Sequence, residues 1–211
     1  MKFFLEACCP SLEAVEAAGP AGARRIELCE CLEIGGLTPS EGLIRSAVAA
    51  TELPVNALVR PRGGDFVYSR QEADAMLESI RLCGRLGMNG VVIGALRKDG
   101  SVDMELMKNL VSEARTFGLS VTFHRAFDVC AEPLDALEDI IALGCDRLLT
   151  SGHAEDAFAG REMIGKLVRA AGGRIIIMAG GGVRPGNIAA IAAASSAPEF
   201  HSSRIFEPWE I

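Results

Sequence analysis

Residues 121–151 read VTFHRAFDVCAEPLDALEDIIALGCDRLLTS, and this stretch contains a strand, a helix and a second strand in succession. The apolar, β-branched and aromatic residues of Val121–Phe127 and Arg147–Ser151 are typical of buried strands. Between them, Leu134–Leu143 has the 3.6-residue spacing of a helix, and Pro133 fits its first turn. This order predicts two parallel strands joined by a right-handed crossover.

The same alternation runs through the rest of the chain. Strands are predicted at Phe3–Cys9, Arg25–Glu30, Val55–Arg60, Gly90–Ala95, Val121–Phe127, Arg147–Ser151, Ile175–Ala179 and Glu199–Ser203. Helices are predicted at Leu12–Ala18, Gly42–Ala50, Gln71–Leu86, Met104–Phe117, Leu134–Leu143, Ala157–Ala171 and Asn187–Ala194. Eight parallel strands favour one α/β domain over residues 1–211, a (β/α)₈ TIM-type barrel. An open doubly wound sheet is the alternative, but no G-x-G-x-x-G follows the first strand, and no nucleotide cofactor is evident.

Only residues 204–211 follow the eighth predicted strand, so we expect the final closing helix to be missing. The uncovered wall would then be shielded by Phe206 and Trp209 or by another subunit. An uncovered apolar face tends to recruit a partner, which predicts a homo-oligomer.

The bulk composition describes one globular domain. The chain has 211 residues, 49% of them hydrophobic, with a formal net charge of −7. An acidic chain with scattered basic residues argues against a nucleic-acid partner. No stretch approaches a membrane span, and no cleavable leader is evident, so we expect a cytoplasmic protein. The seven cysteines are an odd number inside predicted elements, which indicates reduced thiols.

Polar residues interrupt the predicted strands in one shared phase. In the first two strands the apolar residues alternate with Glu6, Cys8, Glu27 and Cys29, which turns these four side chains toward the barrel axis. The same alternation predicts the following further inward residues: Asn56, Arg60, Arg62, Thr122, His124, Glu199, His201 and Ser203. One interpretation is a buried lattice of paired charges, and the other is a retained chemical site.

Eight phrases of this sequence are distinctive: ELC at Glu27–Cys29, GGLTPS at Gly35–Ser40, RPRGGDF at Arg60–Phe66, VIGAL at Val92–Leu96, VTFHRAFD at Val121–Asp128, LTSG at Leu149–Gly152, GGRIIIMAGGGV at Gly172–Val183 and EFHSS at Glu199–Ser203. Together they resemble the CutC family. The resemblance implies an incomplete or modified barrel, cytoplasmic in bacteria and historically assigned to copper homeostasis. It also implies thiol ligands at Cys8 and Cys29. The chain departs from the family pattern at Pro10, at Glu33–Ile34 and in lacking a longer C-terminal segment.

Cys8 and Cys29 are the candidate metal ligands. They lie on neighbouring predicted strands about 4.8 Å apart, and two thiolates suit Cu(I) in a reducing compartment. The alternative is that both are packing residues, since free cysteine is among the most frequently buried residue types.

His124 and Asp128 are the candidate catalytic residues at the end of the fifth predicted strand, where barrels place their chemistry. A histidine that titrates near neutrality is a competent acid or base, and Glu6 or Glu27 would tune it. The alternative is a hydrogen-bonded core histidine, with Asp128 capping the next helix near Pro133.

Two loops are candidates for holding an anion. Gly180, Gly181 and Gly182 follow the seventh strand, where many barrels bind phosphate, and His201 and Ser202 lie on the neighbouring strand. The alternative is a tight turn that needs glycine. In the other loop, after the third strand, Arg60 and Arg62 have the geometry to clamp a carboxylate or phosphate. There Asp65 would instead restrain Arg62 locally.

Two functions follow from these patterns. One is a copper-binding homeostasis protein that holds Cu(I) through Cys8 and Cys29. The other is a barrel enzyme acting by acid/base chemistry on a small anionic or phosphorylated metabolite, which the inward ionisable residues favour. A scaffolding subunit fits least, because the polar residues converge inward.

Overall fold

The computed structural model describes residues 3–205 and confirms the barrel. Eight parallel strands close in sequence order, each paired with its neighbours along the chain and β8 paired with β1. The strands are β1 (Phe4–Cys9), β2 (Arg25–Leu28), β3 (Val55–Leu58), β4 (Gly90–Ile93), β5 (Ser120–Phe123), β6 (Arg147–Thr150), β7 (Ile176–Ala179) and β8 (Glu199–Ser202). The predicted strands are therefore all present.

Seven helices surround the described barrel. They are α1 (Leu12–Ala18), α2 (Glu41–Ala50), α3 (Arg70–Arg85), α4 (Met104–Thr116), α5 (Pro133–Ala142), α6 (Arg161–Ala171) and α7 (Pro185–Ser195). No helix follows β8 up to residue 205, in agreement with the expected lack of a closing helix. The suggested cover by Phe206 and Trp209 falls outside the described residues. None of the described helices combines the length and hydropathy that a bilayer crossing requires.

Side-chain caps fix where several helices begin. Ser69 and Glu72 form a reciprocal capping box at the start of α3, and Ser11 accepts the amide hydrogen of Ala14 at the start of α1. Helix α6 begins at Arg161, four residues later than the sequence predicts. There Asp156 accepts the amide hydrogen of Ala159, which holds the preceding residues in a separate turn.

The strand phase inferred from the sequence is confirmed. In β1 the outward-facing Leu5, Ala7 and Cys9 join the large apolar core between barrel and helices. Cys8 instead packs inside the barrel in a small cluster with Cys29, Leu58 and Val92. Glu6 and Glu27 are buried on the same inner side. The lumen is therefore polar while the layer outside it is apolar.

Strand β5 is shorter than predicted. It ends at Phe123, and the residues that follow form a 3₁₀ helix, Arg125–Val129. His124 caps this helix, since its Nδ1 accepts the amide hydrogen of Ala126 at 3.1 Å. The rule that successive side chains point to opposite faces of a strand therefore no longer applies from His124 onward.

Candidate functional site

A cavity of about 330 Å³ opens at the carboxyl ends of the strands, where TIM barrels carry their active sites. Its wall contains residues from the loops after most strands. The lining includes the following residues: Cys8, Glu27, Cys29, Arg60, Phe66, His124, Arg125, Gly181, Gly182, His201 and Ser202. Nine of these residues were predicted from the sequence as site residues, so the structure brings those nine into one cavity. The other two, Arg125 and Phe66, were not predicted.

A network of buried charges forms the floor below this cavity. The Arg25 guanidinium binds Glu6 and, at 2.5 Å, Glu199, while Arg147 Nε reaches the same Glu199 carboxylate at 3.1 Å. Burial opposes ionisation of Glu6, but the hydrogen bond from His201 and the charge of Arg25 outweigh it and lower the pKa of Glu6 to about 2. Glu6 is therefore a permanent anion that holds the floor together rather than a proton-transfer group.

His201 connects this floor to the cavity. Its Nδ1 lies 2.8 Å from Glu6 Oε1, and its Nε2 lies 3.9 Å from Glu27 Oε1. Burial disfavours the charged ring, but the carboxylates of Glu27 and Glu6 outweigh burial and raise the pKa of His201 to about 9. His201 is accordingly an imidazolium at neutral pH, which suits the anion-binding role predicted for it.

Glu27 is the carboxyl group in the cavity that titrates near neutrality. Burial raises its pKa to about 7 even though His201 and Arg25 favour the anion. Its Oε2 is buried and has no hydrogen-bond partner among the described residues. A carboxyl group with a pKa near 7 and a free oxygen is suited to exchange a proton with a bound molecule.

Cys8 and Cys29 lie beside Glu27. Their sulfur atoms are 3.7 Å apart, and Cys8 Sγ is 3.9 Å from Glu27 Oε1. The hydrogen bond with Cys29 and burial raise the pKa of Cys8 well above that of a free thiol. Cys8, Glu27 and His201 also place one potential metal ligand atom each within 4.8 Å of one another. All seven cysteines are free thiols.

Arg60 is a buried cation without a carboxylate partner among residues 3–205. Its side chain donates to the backbone oxygens of Ile34, Gly36 and Gly64 at 2.9–3.2 Å. It is 7% exposed, and its Nε is buried with no acceptor in the described structure. A guanidinium held by neutral carbonyls retains its full charge, and that charge faces the cavity.

His124 differs from the neutral-pH acid or base expected from sequence. Burial and the nearby charge of Arg60 lower the pKa of its imidazole to about 3, so the ring is uncharged at neutral pH. Its Nε2 has no partner among the described residues. His124 is therefore placed to act as a neutral hydrogen-bonding group of the cavity wall.

Arg62 and Asp128 lie outside the cavity, although the sequence groups them with the site. Arg62 binds Asp65 at 2.8 Å and Glu72 at 2.5 Å, which is the local restraint considered as its alternative role. Asp128 does not cap α5. It accepts hydrogen bonds from the backbone of Ser151 at 3.0 Å and from the Thr150 hydroxyl, and so fixes the end of β6.

The glycine loop after β7 forms another part of the cavity wall. Gly181 and Gly182 have positive φ angles of 95° and 71°, and Gly181 lies against the guanidinium of Arg125. Neither amide hydrogen is donated to a backbone acceptor within residues 3–205. Gly180 does not line the cavity, and a Cβ at this position would lie 2.4 Å from Leu149 Cδ1 and 3.2 Å from His201 Cβ. The loop thus offers two amide donors beside a cation, as an anion requires.

Ser202 lies at the cavity rim next to this loop. Its hydroxyl donates to the backbone oxygen of Val183 at 2.6 Å, which ties β8 to the loop after β7. Arg125, which the sequence analysis did not select, donates to Asp128 at 2.8 Å and to Ser151 at 3.2 Å. Arg125 lies in the chain between His124 and Asp128, and this position next to two predicted site residues could have identified it as a site residue.

A closed parallel barrel with a polar cavity at the carboxyl ends of its strands defines a TIM-barrel protein. A model of the CutC family matches residues 3–206, and the chain belongs to this family. A CutC family protein of Parabacteroides distasonis is 50% identical over 204 residues, which cover 96% of this chain and 83% of that protein. A CutC family protein of Vibrio cholerae is 47% identical over 203 residues, which cover 96% of this chain and 80% of that protein.

Solved structures give the same result for the fold. The crystal structure of a protein from Streptococcus agalactiae, named as a copper homeostasis protein CutC, superposes with a TM-score of 0.91 at 33% identity, covering 96% of this chain and 99% of that one. The aldolase QR15 superposes with a TM-score of 0.73 at 18% identity, covering 99% and 93% respectively. The second likeness concerns the fold alone.

Proposed function

We propose that this protein is an enzyme acting on a small anionic metabolite bound in the barrel lumen. The observation that carries the proposal is the guanidinium of Arg60, which has no carboxylate partner among residues 3–205, is 7% exposed and lines the cavity. A buried charge is ordinarily compensated by an opposite charge, and the described residues provide none for Arg60. A carboxylate or phosphate of the ligand would supply it.

Groups suited to proton transfer share the cavity with Arg60. Glu27 has a buried carboxylate oxygen that makes no hydrogen bond in the described part of the chain, and His201 Nε2 lies 3.9 Å from its other oxygen. A ligand held at Arg60 would therefore meet a carboxyl group and an imidazole in one cavity, which supports acid/base chemistry. A cavity of about 330 Å³ suits a small metabolite.

The glycine loop after β7 would hold a second polar end of such a ligand. Gly181, Gly182 and Arg125 lie together in the cavity wall, and neither glycine amide has a backbone acceptor within residues 3–205. Many barrels bind a phosphate at the equivalent loop, so phosphorylated metabolites belong among the candidates.

A ligand screen tests this function. Thermal unfolding of the wild type is followed with pyruvate, malate, inorganic phosphate and glycerol 3-phosphate, and is repeated with Arg60→Met. A ligand at a hundred times its dissociation constant stabilises the folded state by about 2.7 kcal/mol. We expect at least one anion to stabilise the wild type but not Arg60→Met, and NMR of the stabilising compound then follows its conversion.

The matched control is Arg81→Met, which removes a guanidinium on the outer surface that binds Glu78 and Glu113. This variant should respond to anions as the wild type does. Equal stabilisation of all three proteins, or of none, contradicts the proposed function.

A second candidate, Cu(I) binding in a reducing cytoplasm, is favoured by one observation. The sulfurs of Cys8 and Cys29 are 3.7 Å apart, and the described structure shows no disulfide between them. Two soft sulfur ligands fit Cu(I), and Glu27 and His201 lie close enough to complete the set. The name of the Streptococcus agalactiae protein points to the same cargo.

A competition titration with a chromogenic Cu(I) chelator tests this candidate. We expect one Cu(I) per chain in the wild type and in Cys83→Ser, whose thiol is buried on α3 away from the lumen. Loss of this site in Cys8→Ser and Cys29→Ser supports copper binding. Unchanged binding in both variants contradicts it.

A further inference from the structure

The hydrogen bonding of His124 fixes which ring nitrogen carries its proton. The backbone amide of Ala126 is an obligatory donor, and it donates to His124 Nδ1 at 3.1 Å. Nδ1 is therefore an acceptor, and in a neutral imidazole the hydrogen must lie on Nε2. The geometry thus defines His124 Nε2–H as a hydrogen-bond donor.

This donor has no hydrogen-bond acceptor within residues 3–205. Nε2 is buried without a partner, while the ring lines the cavity. The ring is also closely seated, because a Cβ at position 94 would lie 2.5 Å from its Nδ1, and Gly94 avoids this contact. A fixed, buried donor without an acceptor indicates that a bound molecule supplies the acceptor.

Arg60 has the same property on the same aromatic ring. Its Nε is a second buried donor that makes no hydrogen bond to any described residue, and its Cζ lies 4.9 Å from the ring centre of Phe66. The His124 ring centre lies 5.0 Å from that of Phe66. One phenyl ring therefore lies beside both groups, and the charge of Arg60 acts directly on the His124 imidazole. Both side chains line the same cavity, as a charged donor and a neutral donor.

We infer that this part of the cavity binds 2-oxo acids, with the carboxylate at Arg60 and the adjacent oxo oxygen at His124 Nε2–H. The inference rests on the proposed function and specifies its substrate class. Both protein groups donate and neither accepts, so the ligand must present only acceptors there. A 2-amino acid would instead direct an ammonium group at two donors, and a simple carboxylic acid would have to serve both donors with its carboxylate alone.

Matched ligand triads test the inference. Dissociation constants are measured by NMR titration for pyruvate, propionate and L-alanine, and again for the longer 2-oxoglutarate, glutarate and L-glutamate. In at least one triad we expect the 2-oxo acid to bind about tenfold more tightly than the simple acid, and the amino acid more weakly than both. Equal affinities of the 2-oxo and simple acids overturn the inference.

Two substitutions separate the donor from the shape of the side chain. His124→Gln retains an N–H donor at the position of Nε2, and His124→Leu removes it. We expect the preference for the 2-oxo acid to persist in His124→Gln and to disappear in His124→Leu, with circular dichroism confirming that both variants are folded. A preference that survives in His124→Leu contradicts the assignment.

The proton position has its own measurement. In ¹⁵N-histidine NMR spectra of the wild type we expect His124 to be neutral and protonated at Nε2 between pH 5 and pH 8. A ring protonated at Nδ1 overturns the inference. Binding of both acids that depends on Arg60 but shows no 2-oxo preference leaves the proposed function standing, whereas no anion binding at all removes both.

Discussion

The guanidinium of Arg25 binds the carboxylate of Glu199 at 2.5 Å inside the barrel floor, and both side chains are almost fully buried. The same guanidinium binds Glu6, so that one cation bridges two buried anions, while Arg147 contacts Glu199 and His201 contacts Glu6 as further partners. Since these charges lie directly below the cavity, the position of His201 and hence of the site depends on them.

Removal of Arg25 should therefore destabilise the protein strongly. Arg25→Met removes the cation that bridges Glu6 and Glu199 and leaves them only His201 and Arg147, respectively, as charged partners. Breaking a buried ion pair costs up to about 3–5 kcal/mol. Urea unfolding measures the loss. Arg45→Met is the control, because its ion pair with Glu41 is 62% and 52% exposed and should contribute within about 0.5 kcal/mol. Equal effects of the two substitutions would show that the floor is not held by charge.

The stability of the protein should fall in acid because of His124. Its pKa is about 3 in the folded protein against 6.5 for an ordinary histidine, so below pH 6.5 the unfolded chain binds a proton that the folded protein does not. This contribution is complete above pH 6.5 and is lost as the pH falls toward 3, by up to about 1.4 kcal/mol per pH unit.

The comparison of the wild type with His124→Gln isolates this effect, since Glu6 and the other carboxylates contribute to both proteins. The free energy of unfolding, measured in urea at each pH, should fall more steeply for the wild type between pH 6.5 and pH 4. Parallel curves would mean that the imidazole is accessible to protons in the folded protein.

The backbone at Gly160 should not accept a side chain. A Cβ at this position would lie 1.9 Å from the backbone oxygen of Ser151 and 3.0 Å from Gly152 Cα, and backbone atoms cannot move aside as a flexible side chain can. We expect Gly160→Ala to lower the free energy of unfolding by at least about 1–3 kcal/mol. Gly42→Ala is the control, because nothing lies within 4 Å of its Cβ position in α2, and it should be neutral or stabilising by up to about 1 kcal/mol. A neutral Gly160→Ala would contradict the close packing of the loop after β6.

The sequence predicts the barrel and much of the lumen for one physical reason. Strands buried on both faces are apolar except where a function or an ion pair demands otherwise, so the inward phase of Glu6 and Glu27 can be seen directly in β1 and β2. Cys8 and Cys29 share that phase, and their side chains meet in the structure.

The same reasoning does not extend past the strand ends. Alternation predicts that Arg60 and Arg62 both face inward, but β3 ends at Leu58, and only Arg60 lines the cavity. The direction of Arg62 is set by its contacts with Glu72 on α3, which no local pattern reveals. The protonation state of His124 could likewise not be predicted from the sequence, because it depends on burial and on the Ala126 amide rather than on residue type.

A crystal structure of the wild-type protein soaked in pyruvate tests the central claim most directly. The claim predicts a carboxylate within hydrogen-bond distance of the Arg60 guanidinium, with the neighbouring oxygen facing His124. Pyruvate bound elsewhere, or a lumen in which water alone contacts Arg60 at saturating pyruvate, would contradict it.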